Sequence, residues 1–405
     1  MQTNLAQGFV KPGFLPVLRT FEGHLASGEE IGAAFSVYHQ GQLVVDLWGG
    51  LADARSMKPW DRDQLIVVFS VTKGLAAMAL HLLAERGKLD WDAPVSSVWP
   101  EFGEGGKERM TMRTLFSHSG GLCALDERLS LEDCMTPERR GKVARALAAQ
   151  RPFWEPGTSQ GYHALTFGLY AREVIERLAG ESAHALLRRE LFEPLGADVF
   201  VATPQEEDVR VATLYPVSNG ERVVKMLGAL ARGGTPEARL ARLVFDKRSL
   251  PRRAFENPDS GRGGIASYND LEARRAGLLS AGATASAHGL ARAYLPFALG
   301  GEVEGRRYFS AESVAPLRGR DSFSECDGVL QKPLGWTRGF LKEDGGVFSP
   351  DPDAFGHAGM GGALGWCDPK HALTIGYVTN RMDWRIRSPR IVALCRALYG
   401  SPGLG

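Results

Sequence analysis

The chain is short of most features that would fix its class at once. Its 405 residues include five cysteines, Cys123, Cys134, Cys326, Cys367 and Cys395, with no CxxC pair among them. An odd, unpatterned count argues against a disulfide framework and a zinc site, and buried thiols are the simplest reading. An excess of one charge is also missing: 48 Lys and Arg face 47 Asp and Glu, for a net charge of +1. A global field that would attract nucleic acid or an anionic membrane is therefore not expected. No uncharged apolar run approaches the ~20 residues of a membrane helix. The opening MQTNLAQGFV has neither the basic start nor the apolar core of a signal peptide. Internal repeats and low-complexity tails are lacking as well. Together these absences predict a soluble, cytoplasmic protein with a small-molecule ligand, no nucleic-acid or membrane partner and no cofactor or metal. They leave the oligomeric state open.

Glycine, in contrast, is plentiful at 49 residues, as expected of a chain with many tight turns and close backbone approaches. Residues 31–50, IGAAFSVYHQGQLVVDLWGG, read as two strands about the turn QGQ. Near the other end, GALGWCDPKHALTIGYVTN reads as a hairpin about DPK with alternation on both arms, and PRIVALCRALYG as a closing helix. Between them MTMRTLFSH, TPERRGKVARALAAQ, ALTFGLYAREVIERLAG, SAHALLRRELFEPLG and GATASAHGLARAYLPFAL carry helical spacing. Residues 203–270 are rich in Arg, Gly and Pro, and weak patterning there predicts long loops and a lid-like excursion that sets substrate size. The expected fold is α+β: a sheet flanked by helices in an α/β domain made from residues 1–90 and 300–405. Residues 91–299 form an inserted, mainly helical domain, with the active site in the cleft between the two.

The chemistry starts at FSVTKGLAAMALHLLAERGK, residues 69–88. This stretch reads as a buried helix, yet Ser70 and Lys73 stand one turn apart at its start. Positions i and i+3 share a helix face. Burial lowers a lysine pKa by penalising the charged form, so Lys73 can accept the proton of a Ser70 nucleophile. The helix start also offers a backbone N–H to an oxyanion. An N-cap serine beside a solvated lysine is the plain structural alternative. In FWEPGTSQGYHALTFG (153–168), Tyr162 follows a Pro-Gly turn, as a core anchor or as a base beside a buried lysine. In FGHAGMGGALGW (355–366), His357 precedes Gly359, and Met360 can supply a second oxyanion N–H; a tight hairpin entry would explain these glycines equally well.

Taken in order, FSVTKG, GKLDWDAPVSSVWPEF, LFSHSGGL, WEPGT with GYHALTFG, and GHAGMGGALGWCDP resemble the serine β-lactamase-like hydrolases, and within them the class C β-lactamase and family VIII carboxylesterase branch. The resemblance runs over about residues 25–385. It implies a β-lactamase/transpeptidase-like fold with an antiparallel sheet. It makes Ser70 the acylated nucleophile of the S-x-x-K motif, Lys73 its proton partner and Tyr162 the tyrosine of Y-x-N, a base for serine or water. It puts His357-Ala358-Gly359 in the place of K-T-G and the oxyanion hole at the N–H groups of Ser70 and Met360. Two departures tilt the expected substrate from β-lactams to neutral short-chain or aryl esters. Ala164 replaces the Asn amide, and His357, with an ordinary pKa of ~6.5, replaces a permanent cation. Acyl transfer and weak β-lactam hydrolysis would follow from the same site. A β-lactamase, D-aminopeptidase, D,D-peptidase or amide hydrolase is the alternative within the fold, and a non-catalytic binding relative the alternative outside enzymes.

Other features are weighed against bland readings. GTSQG (157–161) matches the G-x-S-x-G elbow, but Ser159 lacks the strand before it and the helix directly after it. His118 reads as a packed or capping histidine. His163 is placed beside the site as a lining residue. Trp48, Trp154, Trp336 and Trp366 are core by default, with Trp366 selected as an acyl-pocket residue. The clusters RGRDSF and RRAFENPDSGRGG read as solvated loops.

Overall fold

A computed structural model describes residues 5–385 and 387–404. The first four residues, part of the segment tested for a signal peptide, lie outside the described residues. From Ala6 onward that segment is a strand, β1 (Ala6–Val10), which pairs with the first hairpin.

That hairpin joins β2 (Gly32–His39) and β3 (Gln42–Asp53). Gln40 and Gly41 both have positive φ, 51° and 75°. This is the two-residue turn whose twist matches the strands it connects. Apart from the short strand Lys58–Pro59, which pairs with the end of β3, the other strands of the sheet come from the C-terminal part: β4 (Ser322–Ser324), β5 (Leu334–Thr337), β6 (Phe340–Lys342), β7 (Phe355–Ala358), β8 (Leu364–Asp368) and β9 (Leu373–Thr379). The antiparallel order is β1-β3-β2-β9-β8-β7-β6-β5-β4, so β2 and β9 join the two ends of the chain across the sheet centre. In the β8–β9 hairpin every residue of both strands is buried, not alternate ones. The reason is that helices cover both sheet faces.

On one face lie α1 (Leu15–Ala26) and the last helix, Pro389–Tyr399, whose Val17, Phe21, Ile391 and Leu394 join Phe35, Leu47, Trp366 and Ile375 in one core. On the other face lie α2 (Val71–Glu85) and the helix Ala287–Ala293. A Cβ at Gly376 would stand 1.9 Å from the Ala287 carbonyl, so only glycine lets that helix sit so close on β9. Thirteen of the fifteen residues of α2 are buried, sandwiched between the sheet and the helix Thr166–Ala179.

Residues 203–270 are more helical than their composition predicts. They hold α3 (Asn219–Arg232), α4 (Pro236–Phe245) and α5 (Leu250–Glu256), followed by 3-10 turns over Gly261–Asn269. Caps explain what hydrophobic periodicity missed: the Thr235 and Ser249 hydroxyls accept from the N–H groups of Ala238 and Arg252, with Pro at the first turn of each helix. The cluster RRAFENPDSGRGG, expected as a solvated loop, thus begins inside α5. RGRDSF is tied down as well, Arg320 to Asp344 and Asp321 to Arg113, before it enters the edge strand β4. No described helix is long and apolar enough to cross a membrane.

Candidate active site

The start of α2 is a strained elbow. The short strand Ile66–Val67 runs into Phe69, which has φ 46°, and Ser70 then turns into the helix with φ −65°. A left-handed conformation costs a non-glycine residue roughly 1–2 kcal/mol. Packing offsets it: Phe69 is buried with its ring edge-on to Tyr268 at 5.3 Å. The N–H groups of Val71, Thr72 and Lys73 donate to the carbonyls of Val68, Phe69 and Ser70. The elbow that the G-x-S-x-G match placed at Ser159 is therefore here, and Ser159 lies on an exposed loop.

Lys73 is completely buried. Its Nζ lies 3.1 Å from Ser70 Oγ and donates to the Ser280 carbonyl at 2.7 Å. Among the described residues no carboxylate pairs with it, and burial alone lowers its pKa to about 7. Near neutrality half of these lysines carry a free amine lone pair beside the serine hydroxyl.

Tyr162 is clamped from three sides. The Gly161 N–H donates to the His118 carbonyl, the Tyr162 N–H to Asp327 Oδ1, and the His163 N–H to His118 Nδ1. Asp327 Oδ1 also accepts from Val329 and Leu330, so this one carboxylate ties the Tyr162 loop to the segment leading into β5. The Tyr162 ring stacks on Trp336 at 5.6 Å and 9° and lies under the Lys73 ammonium. Burial raises its pKa well above the ordinary 10 and outweighs the lowering by the neighbouring Ser70 hydroxyl. Tyr162 is thus a neutral phenol at physiological pH, and Lys73 is the partner of Ser70 whose base form is populated there.

The end of β7 closes the site. A Cβ on Gly359 would lie 2.3 Å from the Val68 carbonyl, so glycine allows this backbone to press against the elbow. Gly361 and Gly362 then turn with φ 89° and 122°. Among the described residues the N–H groups of Ser70 and Met360 take part in no hydrogen bond. Both residues line the same pocket and are available to an oxyanion. That pocket has a volume of about 110 Å³ and an apolar wall of Leu131, Cys134, Leu169, Phe255, Ile265 and Tyr268.

The other expected residues fall elsewhere. Trp366 does not reach the pocket: it points to the α1 face, fully buried against Phe348. Strand alternation sends it there, and Trp336 is the tryptophan against the tyrosine. His163 lines no part of the pocket either. It is buried behind Tyr162 against His118, with its pKa lowered to about 3 by burial and then by Lys73. His357 is buried beside Tyr162, bonded through Nδ1 to the Ala358 carbonyl, and burial lowers its pKa to about 3. It is neutral, not a cation, and it too lines no part of the pocket. His118 is packed, at 4.0 Å from Trp336, and serves as the clamp acceptor. Sequence reasoning missed Asp327 and the Ser280 carbonyl. The only local signal for the first was Asp-Gly, a turn pair; the second had none.

A sequence profile of the family described as Beta-lactamase matches residues 17–394. The chain belongs to the beta-lactamase family. Among its relatives, the Esterase/beta-lactamase LipL of Mycobacterium tuberculosis (strain ATCC 25618 / H37Rv) is 34% identical over 93% of this chain and 83% of that protein. Esterase EstB of Burkholderia gladioli is 27% identical over 94% and 93%. The crystal structure of a family VIII carboxylesterase superposes with a TM-score of 0.84 at 36% identity, covering 97% of this chain and 99% of that one. The resemblance to the family VIII branch and the β-lactamase/transpeptidase-like fold is thereby established for this chain.

Proposed function

We propose that this serine hydrolase is a carboxylesterase that cleaves short-chain or aryl esters through an acyl-enzyme on Ser70. The observation that carries the reading is the unneutralised, fully buried Lys73 amine 3.1 Å from Ser70 Oγ. Ser70 Oγ attacks the ester carbonyl and its proton passes to Lys73 Nζ. The oxyanion rests on the N–H groups of Ser70 and Met360. As the tetrahedral adduct collapses, the C–O bond to the alcohol breaks. The Tyr162 hydroxyl gives the alkoxide its proton and is reprotonated from the Lys73 ammonium. Water then enters, its proton leaves along the same route to Lys73, and hydroxide displaces Ser70 Oγ, which regains its proton. The products are a carboxylic acid and an alcohol, and the enzyme is restored. An alcohol in the place of water would give acyl transfer.

Ala164 in the pocket wall and the uncharged His357 support neutral esters over β-lactams, because neither offers an amide or a cation to a lactam's substituents. The apolar wall supplied by α5 and the following turns supports acyl-chain selection by the 203–270 segment. The test is turnover of p-nitrophenyl esters from acetate to decanoate beside nitrocefin, with intact mass after a fluorophosphonate probe. The expected result is short-chain ester turnover, one probe adduct, and loss of both in Ser70→Ala. Lactam hydrolysis with negligible ester cleavage, or near-normal turnover by Ser70→Ala, would refute it.

A further inference from the structure

Helix α3 carries its apolar stripe on the wrong side. Val223, Val224, Leu227 and Ala231 recur at helical spacing and all are exposed, the first three at 54%, 69% and 57%. An amphipathic helix of a water-soluble protein ordinarily turns that stripe inward. Gly233 and Gly234, both with positive φ, join α3 to α4, and the two helices pack on each other. At the end of α4 Phe245 is 66% exposed.

The same segment holds a hidden charge asymmetry. Residues 219–256 contain nine of the 48 Lys and Arg but only four of the 47 Asp and Glu, so they carry +5 while the rest of the chain carries −4. The net charge of +1 averages the two away. Among the described residues the exposed Arg242, Lys247 and Arg248 have no ion-pair partner. Apolar stripe and cations lie on the element that leads, through α5, into the pocket wall at Phe255, Ile265 and Tyr268.

We propose that the α3–α4 hairpin docks on an anionic lipid surface, with Val223, Val224, Leu227 and Phe245 entering the interface and the basic residues facing the headgroups. Exposed apolar side chains flanked by Lys and Arg are the composition of helices that lie in a membrane interface. Each basic residue brought to an anionic surface strengthens binding by roughly fivefold. A second copy of the chain fits this face less well, because a two-fold contact would set one +5 segment against another. Docking here would turn the acyl pocket's wall toward the lipid phase, where water-insoluble esters reside.

The test reads binding, not turnover, so it stands apart from the esterase assignment. Full-length protein is co-sedimented with vesicles of phosphatidylcholine alone and of phosphatidylcholine with an equal share of phosphatidylglycerol, at 50 mM and 500 mM salt. Two double variants are compared: Val224→Asp with Leu227→Asp, and Lys247→Glu with Arg248→Glu. The expected result is binding to the anionic vesicles, weakened tenfold or more by high salt and by each variant. Circular dichroism and p-nitrophenyl acetate turnover should remain at wild-type values. No anionic-vesicle binding, equal binding to neutral vesicles, or binding untouched by both variants would overturn the proposal. So would light scattering that shows an oligomer split by Val224→Asp with Leu227→Asp in a protein that ignores vesicles, because the face would then belong to a second copy.

Discussion

Replacing Lys73 with methionine should abolish catalysis and at the same time stabilise the fold. The folded lysine has a pKa of about 7 against an ordinary 10.5, and burial is the whole cause. At pH 7 the unfolded chain holds this proton almost completely and the folded chain about half of the time. Each unit of depression corresponds to 1.36 kcal/mol. The wild-type fold therefore forgoes roughly 4 kcal/mol at pH 7 by keeping this amine buried. Methionine matches the lysine stem and carries no charge, but it leaves the buried Ser280 carbonyl without the donor now 2.7 Å away. That loss costs about 1–3 kcal/mol, so the variant should gain about 1–3 kcal/mol at pH 7.

The sign follows from proton counts. Between pH 7 and 10.5 the unfolded chain binds more protons at this position than the folded one, so wild-type stability rises with pH in that window. Methionine removes that contribution, and the advantage of the variant should shrink from pH 7 to pH 10. Urea denaturation of both proteins at pH 6, 7, 8, 9 and 10 measures it, since all other titrating groups cancel in the difference. A difference that stays flat over this range would refute the depressed lysine and, with it, Lys73 as the base.

Further outcomes follow from the same geometry. In the wild type kcat/KM for a neutral ester should fall about tenfold per unit below pH 7 and level off above it, because the free amine is the active form; a pH–rate profile that is flat from 5 to 8 would contradict this. Gly359→Ala puts a Cβ 2.3 Å from the Val68 carbonyl and must push the Met360 N–H away from Ser70. Loss of one oxyanion donor is worth about 10²–10³ in kcat, and steady-state kinetics on a variant with wild-type circular dichroism will read it. Tyr268→Ala removes a ring from the pocket wall and from the support of Phe69. Decanoate turnover relative to acetate should rise about tenfold on p-nitrophenyl esters, with thermal stability lowered.

How much of this was legible beforehand differs by residue. Ser70, Lys73 and Tyr162 were singled out from the sequence, and the structure brings them together with Met360 at one pocket. Local rules fixed the two hairpins and α2, because β-branched and aromatic runs, the turn residues between them and a dense apolar run each act within a few residues. Trp366 was misplaced for a reason of the same kind: neighbours on a strand point to opposite faces, and sequence does not say which face holds the site. The helices of 203–270 were read as loops because Arg, Gly and Pro dominate the composition there and outweighed an apolar stripe, Val223, Leu227 and Ala231, that does recur at helical spacing.

The sequence by itself determined the local elements, the spacing of serine and lysine on one helix turn, and the glycines that let β7 approach. Tertiary structure alone decided the chemistry of those groups. Desolvation from every side lowers Lys73 and raises Tyr162. Asp327, 165 residues along the chain from Tyr162, fixes the loop. A pKa and a clamp depend on what surrounds a group in space, and sequence neighbours supply only a small part of that surrounding.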